Sequence, residues 1–282
     1  MSKIGAAILN LIDRFFKKPV HPFNLRNESD MSYADWQYEK GADTLKFYLE
    51  RYTVEDMFRD KRVVDFGCGE GGKTVYYASL GAKDATGIDI FPEYAEQSMR
   101  FAEKKGCRNF RFLLGNAADL DLPDNTYDTV IMNDFMEHVS VPEEALHEAL
   151  RILRPGGRAF INFPPYYHPY GAHLSDAIAM PWVHVFFSEQ TMIEVYKDRV
   201  KDLPDAADRI ALRFTRGADG KDHLTYINKM TIRRFEGILD RLGIEPEYYH
   251  HTPLRPWMAP LAKLRLFREP LNKMVTIVIR KP

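Results

Sequence analysis

Arg62-Val-Val-Asp-Phe-Gly-Cys-Gly-Glu-Gly-Gly-Lys-Thr74 passes from an apolar, β-branched run into a cluster of glycines and then into a helical pattern. Val63 to Phe66, interrupted only by Asp65, reads as a buried parallel strand. Gly67, Gly69, Gly71 and Gly72 make the turn that follows. Glycine there lets the backbone pass close to a ligand, and the next helix offers unpaired N–H groups at its start. The stretch predicts a site for a nucleotide-like cofactor.

Three cofactor templates fit it. Gly67-x-Gly69-x-x-Gly72 matches the dinucleotide fingerprint, with Asp89 at the spacing of a ribose-binding carboxylate. Gly67-x-x-x-x-Gly72-Lys73-Thr74 matches the phosphate-binding loop of nucleotide hydrolases, and Val130 to Asp134 would be its magnesium-binding strand. Asp65, Gly67, Gly69 and Gly71 meet the S-adenosylmethionine (SAM) pattern, acidic-x-Gly-x-Gly-x-Gly. The surrounding chain has to separate them.

Outward from the loop, strands and helices alternate. Ala85 to Asp89, Asn109 to Leu114, Asp128 to Met132 and Arg158 to Phe163 read as further strands. Helices are expected from Pro92 to Lys105 and from Pro142 to Leu153. This series predicts an α/β fold: a doubly wound, mostly parallel, seven-stranded Rossmann-like sheet with ligands at the strands' carboxyl ends. A helix at 231–242, a strand near Glu247 to His251 and the run Met274 to Arg280 complete it. The division expected is a helical N-terminal extension over 1–55, with helices at 3–18 and about 34–52. A cofactor-binding core follows at 56–163, an inserted cap at 164–230 and a C-terminal completion of the sheet at 231–282. The cap shows no alternation beyond a helix at Glu189 to Val200 and is read as a cover for the active site.

The chain of 282 residues is 45% hydrophobic and 28% charged, with net charge −1, a balance that gives no sign of nucleic acid as a partner. Its two cysteines, Cys68 and Cys107, exclude a disulfide framework and suit a reducing compartment. No apolar run reaches the roughly 20 residues of a membrane span. The N-terminal apolar positions are interrupted by charges, unlike a signal peptide. A cytoplasmic protein is the expectation. Two segments are both apolar and basic. Residues 3–18 place Ile4, Ile8, Leu11, Ile12, Phe15 and Phe16 on one helical face at net +3, and residues 253–273 carry Trp257, Leu261, Leu264, Leu266 and Phe267 at net +4. Either would suit a partner surface or peripheral contact with the inner face of a membrane.

Residues 62–164 resemble the core of class I SAM-dependent methyltransferases, of the methyltransferase-domain 11 type. The pieces that carry the likeness are Val64 to Gly71, Gly87-Ile-Asp-Ile90, Gly115-Asn-Ala117, Leu120 to Asp128, Met136-Glu-His-Val139 and Leu153-Arg-Pro-Gly-Gly157. The order of these pieces is far more specific than any one of them. Asp65 agrees with it, since a carboxylate beside the loop repels a triphosphate and suits a cofactor with an ammonium and a sulfonium. The resemblance implies that Asp65 and the Gly67-Cys68-Gly69 to Gly71 backbone hold the methionine part of SAM. Asp89 would take the ribose hydroxyls and Ile90 the adenine face. Asn116 and Ala117 would meet the adenine edge, with Asn133 beside the methionine. Cys68 reads as a small buried residue and not a nucleophile.

Methyl transfer to a hydroxyl needs a base, and histidine suits that role near neutral pH. His138, just after the fourth strand, and His173, in the cap, are the candidates, with His168 and His184 nearby in sequence. Asp134-x-x-Glu137-His138 is similar to a segment of ubiquinone-biosynthesis O-methyltransferases that can hold a divalent cation, although Glu137-His138 also suits a site with no metal. The expected function is O-methylation of a large amphiphilic, glycan, lipid-linked or phenolic small-molecule acceptor. The readings set against it are a nucleotide hydrolase using Lys73 and Thr74, and a non-catalytic SAM-binding adaptor at membranes.

Overall fold

A computed structural model describes residues 2–28 and 31–282. The chain forms two compact units. The larger comprises Met31–Phe163, Phe235–Thr252 and Met274–Pro282. Its sheet begins with five strands, β1 (Arg62–Phe66), β2 (Asp84–Asp89), β3 (Phe110–Leu114), β4 (Tyr127–Asn133) and β5 (Leu153–Phe163). Two short strands, β6 (Phe214–Arg216) and β7 (Asp222–Leu224), pair only with each other, and β8 (Tyr248–Pro253) and β9 (Asn272–Arg280) return to the main sheet. The order is β3-β2-β1-β4-β5-β9-β8, with β1 to β5 parallel and β9 antiparallel to β5. The seven-stranded, mostly parallel sheet stands as the sequence predicts.

The order reverses between β1 and β4, so the turns after β1, β2 and β4 open on one carboxyl edge. Val63, Val64 and Phe66 of β1 are fully buried, as a strand covered on both faces requires. The expected helix over 34–52 is broken into Tyr33–Glu39 and Gly41–Leu45. A β-carbon at Gly41 would lie 2.3 Å from the Tyr76 ring, so close packing on the helix Gly72–Ser79 demands a residue that weakens the helix.

The smaller unit comprises Met1–Asp30, Pro164–Arg234 and Pro253–Lys273. The N-terminal extension is therefore divided: residues from 31 onward belong with the sheet, and 253–273 belong with the insertion. The insertion has its own core around Leu174, Ile178, Val195, Tyr196 and Phe214. It also contains the helix Glu189–Val200, the helix Ala206–Arg213 and the β6–β7 hairpin, of which the sequence marked only the first.

The helix Ser2–Asp13 packs on Glu189–Val200 by an unexpected face. Ala6, Leu9 and Ile12 enter the core, Gly5 abuts Thr191, and buried Asp13 accepts from Met180 N and pairs with Arg199. Of the predicted apolar face only Ile12 is packed; Ile4, Ile8, Leu11, Phe15 and Phe16 are exposed. Helical periodicity identifies which residues share a face, not which face meets a neighbour.

Deeper in this unit Asp176 lies 3.1 Å from both Arg209 and Arg213 and accepts the Tyr196 hydroxyl at 2.7 Å. Arg209 also donates to Asp205 and Asn24 at 2.9 Å, and Arg213 stacks over Phe23. Burial, opposed by Asp176, pushes neighbouring His21 down to about 4. Among the described residues no helix is long and apolar enough to cross a membrane.

Candidate functional site

The turn after β1 is tied to β2. Gly67 N and Cys68 N both donate to Ile88 O, at 2.9 and 3.0 Å. Asp89, at the end of β2, then accepts from Gly69 N at 2.8 Å and from Phe91 N at 3.2 Å. Gly71 has a φ of +77°, and a β-carbon there would stand 2.7 Å from Ser98 Cβ, so conformation and space both require glycine.

The helix Tyr33–Glu39, capped by Ser32, clamps the other side of the turn. Gln37 accepts from Gly72 N at 3.2 Å and donates to Cys68 O at 3.3 Å, and Glu70 accepts from Ala34 N at 3.0 Å. Tyr33 is half-buried near Lys73, Asp134, Glu70 and Asp89, and burial raises its hydroxyl pKa. Tyr33, Gln37 and Glu70 were missed in the sequence; only the serine cap marks the helix, and nothing local says where it docks.

These contacts dispose of the phosphate-loop reading. Gly69 N and Gly72 N are committed to side chains and cannot cradle a phosphate. Lys73 Nζ is 2.9 Å from Asp134, and the Thr74 hydroxyl donates to Asp65 at 2.6 Å. The lysine and hydroxyl that would hold triphosphate and magnesium are both spent inside the protein.

The charge left over is negative. Burial pushes Asp65 up to about 7, partly offset by Thr74 and Lys73 and reinforced by Asp89 and Asp134. Burial also raises Asp89, against the N–H groups of Gly69, Phe91 and Ile90, and holds Glu137 well above the carboxylate range. For Lys73 burial works downward, but the Asp134 carboxylate outweighs it and fixes the ammonium. Asp65, Asp89 and Asp134 thus face one lysine, with Glu137 held toward its neutral form beside them. Asp65 itself is buried under the loop, bonded to Thr74, and acts on a ligand through its field.

At the nucleoside end, Ile90 is 60% exposed and Leu114, beside Asp89 in the sheet register, is 53% exposed. Apolar side chains left open at the sheet's carboxyl edge suit a flat base. Asn116 is exposed and its Oδ1 accepts from Ala118 N at 3.0 Å; Ala117 is buried. Asn133 accepts from Tyr48 and Asn162 and donates to Tyr77, so its amide serves the sheet. The Cys68 side chain is buried against Gly87, and burial raises its thiol. An acidic, glycine-backed turn with an open apolar ledge fits a nucleoside that carries a cationic amino acid: Asp89 for the ribose, Ile90 and Leu114 for the base.

The histidines divide between the units. His138 is half-buried beyond β4, its backbone N donates to Phe135 O at 2.9 Å, and its Nε2 lies 3.8 Å from Glu137 Oε1. Asp134, which leads this segment, has a left-handed φ of +53°. For a cation at Asp134-x-x-Glu137-His138, Lys73 already occupies Asp134 and burial keeps Glu137 protonated toward neutral pH. His173, in the smaller unit, also has a left-handed φ of +53°; its carbonyl accepts from Arg213 Nε and its ring meets Tyr226 edge-on. Burial takes His168 and His184 down to about 4, leaving both neutral.

Residues 64–161 match the family model described as "Methyltransferase domain". This stretch is a class I SAM-dependent methyltransferase domain, and its cofactor is S-adenosylmethionine. A demethylmenaquinone methyltransferase of Symbiobacterium thermophilum is 31% identical over 151 residues, 52% of this chain and 56% of that protein. The mitochondrial ubiquinone biosynthesis O-methyltransferase of Schizosaccharomyces pombe is 27% identical over 144 residues, 48% and 52% of the two chains. The chain thus spans about half the length of these curated relatives. In fold, the PH0226 protein of Pyrococcus horikoshii OT3 superposes with a TM-score of 0.54 at 15% identity, covering 93% of this chain and 100% of that one.

Proposed function

We propose that the protein transfers a methyl group from SAM to an oxygen atom of a large, amphiphilic acceptor, a phenol or a glycan, with His138 as the base. The observation that carries the reading is the set of carboxyl groups around the glycine turn, Asp65, Asp89 and Asp134 against the single Lys73, which a cationic cofactor would balance and a polyphosphate would aggravate. A relative named as a ubiquinone biosynthesis O-methyltransferase supports an oxygen atom as acceptor.

When bound, SAM supplies an electrophilic methyl group on a sulfonium. Asp89 would hold the ribose, and the turn backbone and Ile90 the two ends of the cofactor, leaving its methyl group for an in-line displacement by the acceptor oxygen. Alignment of this kind is worth several kcal/mol, up to about 7–11 in ideal cases. The His138 imidazole would take the acceptor's proton as the O–C bond forms and the sulfonium S–C bond breaks, the cofactor leaving as a neutral thioether; Glu137 lies 3.8 Å from its Nε2. His173 is the second candidate base. An amphiphilic acceptor would be met at a membrane surface.

Incubation with methyl-labelled SAM and extracted lipids, phenols or glycans tests the reading. His138→Ala should lower turnover about 10²- to 10⁴-fold while sparing SAM affinity. If His173→Ala has that effect instead, the base is reassigned. If neither slows turnover, the base assignment fails; if no fraction accepts label, the activity does.

A further inference from the structure

The segment Pro253–Lys273 displays apolar side chains outward from a fixed frame. Trp257 is 71% exposed and Leu266 is 80% exposed, with Leu261, Leu264 and Phe267 exposed beside them in sequence. The short helix Val183–Phe186 adds Val185 and Phe186, the latter 68% exposed. An open, mostly apolar groove of about 470 Å³ joins the two, lined by Tyr167, Trp182, Val185, Phe186, Leu266 and Pro270, with Glu269 as its one charged residue.

The display is built. Asn272 Nδ2 donates to Ala262 O and Arg268 O, Leu254 N donates to Leu271 O, and Glu269 accepts from Ile232 N and Arg233 N. A chain pinned at these points cannot fold its apolar groups inward. Exposed apolar patches of this kind mark a surface that is covered in use.

The charges around it say by what. Arg255, Lys263, Arg265 and Lys273 are exposed, and among the described residues none is paired with a carboxylate. The segment's one acid, Glu269, is spent capping the helix Ile232–Leu242. Exposed aromatic and leucine side chains interspersed in sequence with unpaired cations complement an anionic lipid surface, where the cations meet phosphate headgroups and the apolar groups enter the acyl boundary. The helix Ser2–Asp13 repeats the pattern in the same unit: Ile4, Ile8, Leu11 and Phe15 form an exposed row among exposed Lys3, Arg14, Lys17 and Lys18.

We infer that the face formed by Pro253–Lys273 and Val183–Phe186 docks the protein on an anionic phospholipid bilayer. Docking does not depend on methyl transfer and is tested without an acceptor. The full chain is floated with vesicles of phosphatidylcholine alone and of phosphatidylcholine with phosphatidylglycerol. The expected result is binding to the anionic vesicles, weakened by salt, with a blue shift in tryptophan emission that Trp257→Phe removes. Leu266→Glu combined with Phe186→Glu should weaken partitioning more than about tenfold, and Lys263→Glu with Arg265→Glu by about fivefold for each cation lost. These side chains are exposed, so SAM affinity measured in parallel should be unchanged in both variants. Wild-type protein that stays in the aqueous phase with anionic vesicles overturns the inference, as does partitioning indifferent to both double variants. So does a concentration-dependent dimer that only the apolar variants dissolve, since the face would then belong to a second copy of the chain.

Discussion

Asp176 in the smaller unit and Asp65 in the larger are both buried carboxylates, and their surroundings are opposite. Asp176 faces two guanidinium groups and a tyrosine hydroxyl, and each partner is held by further contacts. Asp65 faces one hydroxyl, with Asp89 and Asp134 adding to its burden and Lys73 relieving part of it. The first cluster balances its charge within the protein, so it works as architecture. The second is short of positive charge, and a buried deficit of that kind is a request for a ligand.

The sharpest way to break this contrast is to remove the carboxylate from the balanced cluster. Asp176→Ala strands two buried arginines and should cost about 3–5 kcal/mol of stability in urea unfolding, with SAM affinity in the surviving folded protein unchanged. If it weakens SAM binding instead, the two clusters are not distinct in kind. Asp89→Ala should do the reverse. With the ribose role proposed for Asp89, the variant should lose about 2–4 kcal/mol of SAM binding by calorimetry, or roughly 30- to 1,000-fold, with a smaller loss of stability.

A pH series sharpens the Asp65 side. Its folded carboxyl keeps a proton up to about 7, whereas an unfolded aspartate releases it near pH ~4. The contribution to stability is therefore fully present below about pH 4 and is lost as pH rises through about 7. Asp65→Asn should flatten that part of the curve, read from urea midpoints at about pH 5 and about pH 8, because its amide cannot ionise. An identical slope in the variant would show that Asp65 carries no deficit. The smallest effect belongs to Lys73→Met. Deleting the lone cation of the pocket should leave SAM affinity unchanged or raise it by up to about tenfold, by the Coulomb attraction of Asp134 for a cationic ligand. Loss of a magnesium-dependent nucleotide hydrolysis in this variant would revive the phosphate-loop reading.

The carboxyl edge was legible because its signals are local. Glycines at a turn and an acid at the end of the next strand act within a few residues of themselves. The clamp over the loop was not. Gln37 reaches Cys68 and Gly72, and Glu70 reaches Ala34, across 31 to 36 residues of chain, and neither sits in a pattern that declares its partner. The conflict among the three templates had the same origin. Lys73 and Thr74 spell a phosphate loop, but Asp134 and Asp65 decide what those groups are free to do. Asn133 shows the limit from the other side: an amide at the site's edge in sequence is in fact bonded to Tyr48, Tyr77 and Asn162.

Leu9 is wholly enclosed, and Asp13 is fastened to Arg199 and to the Met180 amide. The opening helix is thus a plug, and shortening the chain from its front end would leave a void beside Val195 and an orphaned arginine in Glu189–Val200. Anyone preparing a trimmed version for crystals should expect poor yield, and should place affinity tags ahead of Ser2 in preference to cutting behind it.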